Sequence, residues 1–526
     1  MNDLGTFIRQ FSRGDRGIYE VKKKNKRFIA YSELYQSALE LSASWRTLKL
    51  RERFIAVVWM EQSLDGLRSF LAVVLAGGIP VPMHSFSAVE DISGAVRRLE
   101  ADMVVVSTAK FRMFHSSLSL MDVQRSPYWI DLDTGRLLAG SDGSDASHGS
   151  GHGGGKFAER EYTPPTETAV IFMSSGSTGW PKGIMLSDHN IISNVESIQD
   201  YVWLNRGDKL LAFKSLGYCS SITGEWLTAL FAGCDLQLTD AFMHPFEMLR
   251  FVREYGTTFM CTVPSAILPL VKTERWGEKD VASLRKMTIV GGPMPSDSLL
   301  HLSSRMPSVE LMPSYGLTEA SPRVTYLPAQ QLKVRPGSVG IPVKGVQVSV
   351  YRSGVVAEPG EHGEIVVTGP NVMLGYYNND RLTSEQLKPE GLYTSDIGYI
   401  DQDGFIYITG RMDNALNVGG HTVYPETIER ILLGLPFVRE VAVTGVADDI
   451  WGERMVAFVV LSDGNGRISE LAEFSKLHLQ PVQRPRKWII VDEQQLPRTI
   501  VGKINRLALR TMAKEWEDAA TFTSPG

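Results

Sequence analysis

Residues 54–107 read FIAVVWMEQSLDGLRSFLAVVLAGGIPVPMHSFSAVEDISGAVRRLEADMVVVS. Three short apolar runs, FIAVVWM, IPVPM and DMVVVS, alternate with two longer amphipathic segments, SLDGLRSFLAVVLAG and AVEDISGAVRRLEA. Strands separated by helices build parallel sheets, because a parallel partner is reached only through a crossover connection. The alternation resumes in TAVIFM, KLLAF, DLQLT, TTFMCTV and KMTIVGG, each followed by a plausible helix or a glycine-rich turn. The large N-terminal part is therefore expected to be α/β, with parallel-sheet subdomains. After about Gly345 the pattern shifts to short strands with polar turns (VQVSVY, GEIVVTG, FIYITG), a smaller β-rich section. From Tyr424 onward, PETIERILLGL and ISELAEFSKLHL read as helices, and VREVAVTGV, RMVAFVVLS and KWIIVD as strands, which makes a compact α+β unit at the C-terminus. No repeat of fixed period is visible, which argues against a solenoid or propeller.

A chain of 526 residues exceeds one compact domain, and with 43% of residues hydrophobic and 21% charged it sits among ordinary globular proteins. Fifty-four basic against 59 acidic residues give a formal charge of -5. That balance supplies no basic field for a phosphate backbone, so nucleic acid is not an expected partner. The most apolar stretch, residues 70–83, is broken by Gly77, Gly78 and Pro80 and falls short of the roughly 18 apolar residues that span a bilayer. No transmembrane segment is expected. The opening residues lack the basic, apolar and small-residue succession of a signal peptide, so a cytoplasmic location is expected. Cys219, Cys234 and Cys261 have neither disulfide nor zinc spacing and read as reduced core thiols in apolar surroundings. Residues 140–156, GSDGSDASHGSGHGGGK, are too polar to order themselves and read as a surface loop. They are not a phosphate loop: Ser150 stands where the first glycine belongs, and Phe157 follows the lysine.

Residues 171–183, IFMSSGSTGWPKG, do suit phosphate. An apolar strand enters a loop in which glycines let an anion approach the backbone, the hydroxyls of Ser174, Ser175, Ser177 and Thr178 donate, and Lys182 supplies charge. The full string resembles the phosphate-binding signature of the adenylate-forming superfamily, which includes acyl-CoA synthetases, peptide-synthetase adenylation domains and luciferases. By that resemblance Ser174, Ser175, Gly176, Ser177, Thr178, Gly179 and Lys182 would bind ATP.

Further resemblances follow in the family's order. SYGLTE at 314–319 is similar to the segment in which a tyrosine lies against adenine, a threonine meets phosphate and a glutamate holds magnesium, which implies Tyr315, Thr318 and Glu319, with Gly316 beside the acyl pocket. GGPMP at 291–295 resembles the turn that shapes the adenine and acyl pockets, with Gly292 toward the nucleotide and Gly291 toward the acyl group. LYTSDIGYIDQDGFIYITGR at 392–411 resembles the ribose-binding stretch: Asp396 would accept from the ribose hydroxyls and Arg411 would hold the nucleotide from the other side. Ser395 stands where many members carry glycine. MDNALNVGGHTVYPETIE at 412–429 resembles the hinge and the loop lining the thiol tunnel, with Asp413 as hinge and Gly419 and Gly420 in the tunnel; a plain Gly-Gly turn between strands is the alternative. Asn414 replaces a frequent acid and Thr422 a frequent arginine, and the second departure leaves open which cation meets the phosphates after rotation. LPRTIVGKINRLALR at 496–510 resembles the signature whose lysine, here Lys503, reaches the carboxylate and the α-phosphate.

The resemblance implies an N-terminal AMP-binding domain over 1–411 and a small mobile α+β domain over 412–526. It implies ATP-dependent activation of a carboxylic acid to an acyl-adenylate and acyl transfer to coenzyme A, with ATP, Mg2+ and coenzyme A as cofactors. The alternative acceptor is the phosphopantetheine of an acyl carrier protein. No fused carrier unit is expected after Lys503, an expectation that favours coenzyme A. A catalytically silent nucleotide-binding scaffold is the reading from another class, and the joint presence of Thr318, Glu319, Asp396, Arg411 and Lys503 speaks against it. In LGYCSSITGEWLTALFAGC (216–234) no acid stands near Cys219 or Ser220, where amino-acid-activating relatives place an aspartate, so a small non-amino carboxylic acid is favoured. Tyr218 falls about where acyl-CoA synthetases carry a histidine or aromatic residue beside the carboxylate.

Overall fold

The computed structural model of the protein describes residues 3–22, 25–118, 127–139, 160–174, 181–240, 244–448, 451–462, 467–498 and 504–521. The Gly/Ser stretch at 140–156 lies outside them.

Residues 54–107 fold as their rhythm predicts. Strands Ile55–Trp59, Ile79–Met83 and Met103–Val106 pair in parallel, and helices Leu64–Leu75 and Val89–Arg98 form the crossovers. Every side chain of IAVVW is buried, as expected where both faces of a parallel sheet are covered. Ile79–Met83 is the edge strand of this sheet, where Pro80 and Pro82 interrupt the least ladder bonding.

A larger sheet has nine strands among the described residues. Its parallel centre is built from Asp235–Thr239, Lys209–Ala212, Phe259–Thr262, Lys286–Ile289 and Glu310–Gly316. At one end the chain turns back antiparallel through Arg323–Tyr326. At the other, Gly17–Lys22 pairs parallel with Asp235–Thr239 and antiparallel with Asn25–Ala30. TAVIFM departs from the expectation of a parallel strand: Thr168–Ser174 pairs antiparallel with Lys182–Ser187, because the connection between them is too short for a crossover.

The β-rich section is an antiparallel sheet that includes Gln347–Arg352, Gly363–Thr368, Gly391–Ile400 and Ile406–Arg411. Beyond the 3-10 turn Met412–Asn414 a separate sheet begins at Leu416–Val418 and takes in His421–Val423, Val438–Asp448, Gly452–Leu461 and Lys487–Ile490. Helices Pro425–Leu432, Ile468–His478 and Arg506–Thr521 accompany it. Among the described residues no helix is long and apolar enough to cross a membrane.

All three cysteines are free and buried, and Cys219 and Cys234 lie in an apolar core. Cys261 corrects the sequence reading. Its sulfur accepts from Lys214 Nζ at 3.2 Å and from Arg323 Nη2 at 2.9 Å, because these charged groups come from neighbouring elements that sequence proximity does not reveal.

Gly316 shows how closely the chain folds back at the end of the large sheet. A Cβ there would lie 1.9 Å from the Pro322 carbonyl oxygen and 3.2 Å from Arg323 Cα, both backbone atoms that cannot swing aside. Gly316→Ala should therefore cost about 3 kcal/mol in chemical denaturation; an unchanged midpoint would show that this approach is looser than described.

Candidate active site

Three sheets meet where the motifs converge. Tyr315 closes strand Glu310–Gly316, and its hydroxyl donates to Asp396 Oδ2 at 2.5 Å. Asp396 lies in register with Arg411 on the paired strands of the β-rich sheet, and Arg411 Nη1 stands 3.5 Å from Asp396 Oδ1. The other guanidinium nitrogen, Nη2, is 3.5 Å from Asp413 Oδ2, in the turn leading to the C-terminal sheet. Burial, reinforced by Asp396, pushes the Tyr315 hydroxyl well above its ordinary pKa, so it remains a donor at neutral pH.

Glu319 occupies the 3-10 turn Thr318–Ala320. The Tyr376 hydroxyl donates to Glu319 Oε1 at 3.0 Å, and Lys182 Nζ stands 5.6 Å from the centroid of the Tyr376 ring. Tyr376 thus joins the lysine of the phosphate-loop motif to the expected magnesium ligand. The backbone around Glu319 is pinned: Met373 N donates to the Glu319 carbonyl at 2.9 Å, Asn371 Nδ2 to the Ala320 carbonyl at 2.9 Å, and Asn194 Nδ2 to the Arg323 carbonyl at 2.8 Å. Among the described residues no group of three or more His, Cys, Asp or Glu could hold a metal. A lone carboxylate fits magnesium that takes its remaining ligands from phosphate and water, and does not fit an all-protein cation cage.

Ser174 and Lys182 are paired partners at the mouth of the hairpin, whereas Ser175, Gly176, Ser177, Thr178 and Gly179 lie outside the described residues. So does Lys503. Beyond it, Arg506 is tied to Glu429 through both guanidinium nitrogens, with Nη2 to Oε2 at 2.7 Å. Gly291, at φ +84°, and Gly292 follow strand Lys286–Ile289, which neighbours the strand of Tyr315. Gly419 and Gly420, at φ +59° and +80°, form a two-residue hairpin turn between Leu416–Val418 and His421–Val423. The turn alone calls for glycine at both places. A Cβ at Gly419 would also meet Trp451 at 2.8 Å, while among the described residues nothing lies within 4 Å of one at Gly420.

Tyr218 packs against His84, with ring centroids 4.3 Å apart, and His84 Nδ1 lies 3.0 Å from Ser215 Oγ. Sequence reading missed His84, Tyr376 and Glu364, whose carboxylate accepts from Ser395 N at 3.0 Å. It also missed the buried ion pair of Lys214 with Glu225, for which the lysine in the otherwise apolar run LLAFKSLG was a legible signal. Asn414, noted as a departure, donates to Glu426.

A family model described as AMP-binding enzyme matches residues 12–377, and one described as AMP-binding enzyme C-terminal domain matches 427–503. The chain is 32% identical over 351 residues to a long-chain-fatty-acid–CoA ligase of Bacillus subtilis (strain 168), covering 66% of this chain but 62% of that relative, less than two thirds of its length. It is also 32% identical over 352 residues to a 2-succinylbenzoate–CoA ligase of Bacillus cereus (strain ZK / E33L), covering 66% of this chain and 71% of the relative. ATP-bound MatB from Rhodopseudomonas palustris superposes with a TM-score of 0.82 at 26% identity, over 98% of this chain and 99% of that one.

Two expectations follow from the site's backbone and burial. Ser395 sits at φ +60°, the left-handed region that favours glycine, and so explains why a glycine suits the position beside Asp396. Ser395→Gly should be neutral or about 1 kcal/mol stabilising, and Ser395→Val should cost about 2 kcal/mol, read from thermal unfolding. The reverse order would contradict the strain. Burial lowers the pKa of His84 to about 4, from an ordinary 6.5. Between these values the unfolded chain binds the extra proton, so His84 makes stability fall as pH drops from 6.5 toward 4, by up to about 3 kcal/mol. His84→Gln should flatten that limb in urea midpoints measured across this range; an unchanged limb would place the titration elsewhere.

Proposed function

The chain belongs to the AMP-binding enzyme family, and on that premise we propose that it condenses a carboxylic acid with ATP to an acyl-adenylate and passes the acyl group to the thiol of coenzyme A. The observation that carries this reading is the convergence of Tyr315, Asp396 and Arg411 beside the line Lys182, Tyr376 and Glu319. One set of groups suits an adenosine and the other a polyphosphate. The names of the relatives, both CoA ligases, and the ATP held by the superposed MatB support the same reading.

In the first half-reaction a substrate carboxylate oxygen attacks the α-phosphorus, a P–O bond forms, and the bond to pyrophosphate breaks. The chain offers positioning and charge, with no covalent intermediate on a side chain. Tyr315 packs against adenine, Asp396 accepts from the ribose hydroxyls, and Arg411 holds the nucleotide from the other side. Ser174 to Gly179, Lys182 and Thr318 hold the phosphates, with Gly292 letting the nucleotide approach the backbone. Glu319 is the magnesium ligand; when bound, the ion neutralises polyphosphate charge. Lys503 bridges the carboxylate and the α-phosphate, two anions that must touch. Gly291, Gly316 and Tyr218 border the acyl group. In the second half-reaction the thiolate sulfur attacks the carbonyl carbon and AMP departs with the oxygen it gained. Residues 412–526 turn about Asp413 between the two steps, withdrawing Lys503 and bringing Gly419 and Gly420 to the pantetheine arm.

Pyrophosphate release and ATP–pyrophosphate exchange over a panel of carboxylic acids test the reading directly, with coenzyme A thioester detected by mass spectrometry. Silence across the panel would favour the scaffold. Lys503→Ala should lower adenylation by about a thousandfold or more, the scale of a lost transition-state contact. Thioester formation from supplied acyl-adenylate should survive. Normal exchange in this variant would remove Lys503 from its role.

A further inference from the structure

Asp396, the residue assigned to the ribose, sits in a β-bulge. Strand Gly363–Thr368 pairs with Gly391–Ile400 through Glu364 opposite Ile397 and then through Val366 opposite Tyr393, so that Ile365 alone faces Thr394, Ser395 and Asp396. On its other side the same strand shifts register against Ile406–Arg411, between Ile397 and Gly398. A bulge re-aims a side chain, and it does so by giving up ladder bonds. Side chains take over those bonds here. Thr394 Oγ1 donates to the Ile365 carbonyl at 2.9 Å and accepts from Asp396 N at 3.1 Å, and Thr409 Oγ1 donates to the Ile397 carbonyl at 3.1 Å. Ser395 N donates to Glu364 Oε1 at 3.0 Å.

The bond from Ser395 differs from the others in what it opposes. Ser395 stands at φ +60°, a conformation that a residue with a Cβ keeps only where its surroundings hold it. Without the Glu364 acceptor this half-buried N–H loses its partner, and the backbone is free to relax toward negative φ, carrying the next residue with it. Asp396 tolerates little movement, since the Tyr315 hydroxyl lies 2.5 Å from one of its oxygens and Arg411 Nη1 3.5 Å from the other. Glu364 is held there against its own preference. Burial pushes its carboxyl up from the ordinary value, reinforced by Asp413 and Asp396 and opposed by the Ser395 N–H and Lys388. The need met at this position is for an acceptor oxygen rather than for a negative charge.

We propose that Glu364 is a positioning residue for the nucleotide: by accepting from Ser395 N it locks the left-handed turn of the bulge and so aims the Asp396 carboxylate at the ribose hydroxyls. This rests on the adenylating reading given above, in which Asp396 meets the ribose. Glu364 touches no substrate itself. Its effect is confined to the nucleotide's sugar, because Asp396 is the group that its hydrogen bond steers, and a site residue is only as well placed as the contacts that support it.

Pyrophosphate release by the full-length protein, with one accepted acid and with ATP or its deoxy analogues lacking the 2′ or the 3′ hydroxyl, tests this. The wild type should favour ATP over each analogue by about tenfold or more in kcat/KM, the scale of one hydrogen bond to a charged group. Glu364→Ala should raise KM for ATP by about tenfold with little change in kcat and leave the analogues nearly where they were, so that the ratio falls toward one. Glu364→Gln, which keeps an acceptor oxygen, should retain the ratio. Adding Ser395→Gly to Glu364→Ala should restore part of it, since glycine adopts φ +60° without strain. Should Glu364→Ala fail to fold by thermal unfolding, Glu364→Leu, which keeps the apolar bulk and lacks the acceptor, is read in its place. Loss of the fold in both makes Glu364 a folding residue and overturns the assignment. So does an unmoved ratio, or an equal loss with ATP and with the analogues, while the adenylating reading stands. A wild type that releases pyrophosphate with no preference for ATP removes Asp396 from the ribose and this assignment with it. No release with any acid overturns the adenylating reading and everything that rests on it.

Discussion

The short hydrogen bond from Tyr315 to Asp396, with Arg411 on the opposite oxygen, is the constraint on which the rest of the site depends. Tyr315 belongs to the large parallel-centred sheet and Asp396 to the antiparallel one, so this contact fixes one sheet against the other. A hydrogen bond to a buried carboxylate is among the stronger ones available, about 1.5–3 kcal/mol net. Arg411 extends the linkage to Asp413, the residue from which the chain leaves for the C-terminal sheet. The same groups that suit an adenosine therefore also hold the junction, and a change in one is felt in the other.

The second organising feature is the way the chain folds back after Glu319. Asn194 and Asn371 satisfy the backbone on both sides of this turn from helix Asp188–Val202 and from the segment before Gly375. Their amides take the place of ladder bonds that an irregular segment cannot form, and buried backbone groups need such partners. The result places Glu319 on Tyr376 and Arg323 on Cys261 within a few residues of each other. The proposed magnesium ligand and a buried cation pair are thus held by one clamped loop.

How much of this was legible in the sequence varied with the range of the interaction. Contiguous patterns were readable: the strand and helix rhythm of 54–107, the β-rich section, and the strings that carry Tyr315, Glu319, Asp396 and Arg411. Pairings that join distant segments were not. Tyr376 reaches Glu319 across 57 positions and Glu364 reaches Ser395 across 31, and no local periodicity encodes either. The strand Gly17–Lys22 finds its partner at Asp235–Thr239 for the same reason. Cys261 was misread because its immediate sequence neighbours are mostly apolar while its spatial neighbours are Lys214 and Arg323. Ser395 was noticed only as a departure from a motif; its positive φ supplies the physical reason that glycine suits the site. The π-helical turn at Ile222–Leu227 has no periodicity signal, since it lies in a helical run whose residues are all buried and which therefore shows no polar face.

The central claim is that a carboxylate oxygen of the substrate becomes bonded to the α-phosphorus of ATP. Turnover of an acid labelled with 18O in both carboxylate oxygens, with ATP, magnesium and coenzyme A, followed by mass spectrometry of the nucleotide product, measures that bond. The account predicts AMP carrying one 18O per thioester formed, with unlabelled pyrophosphate. Label in inorganic phosphate with ADP as the nucleotide product, or thioester formed alongside unlabelled AMP, would contradict it.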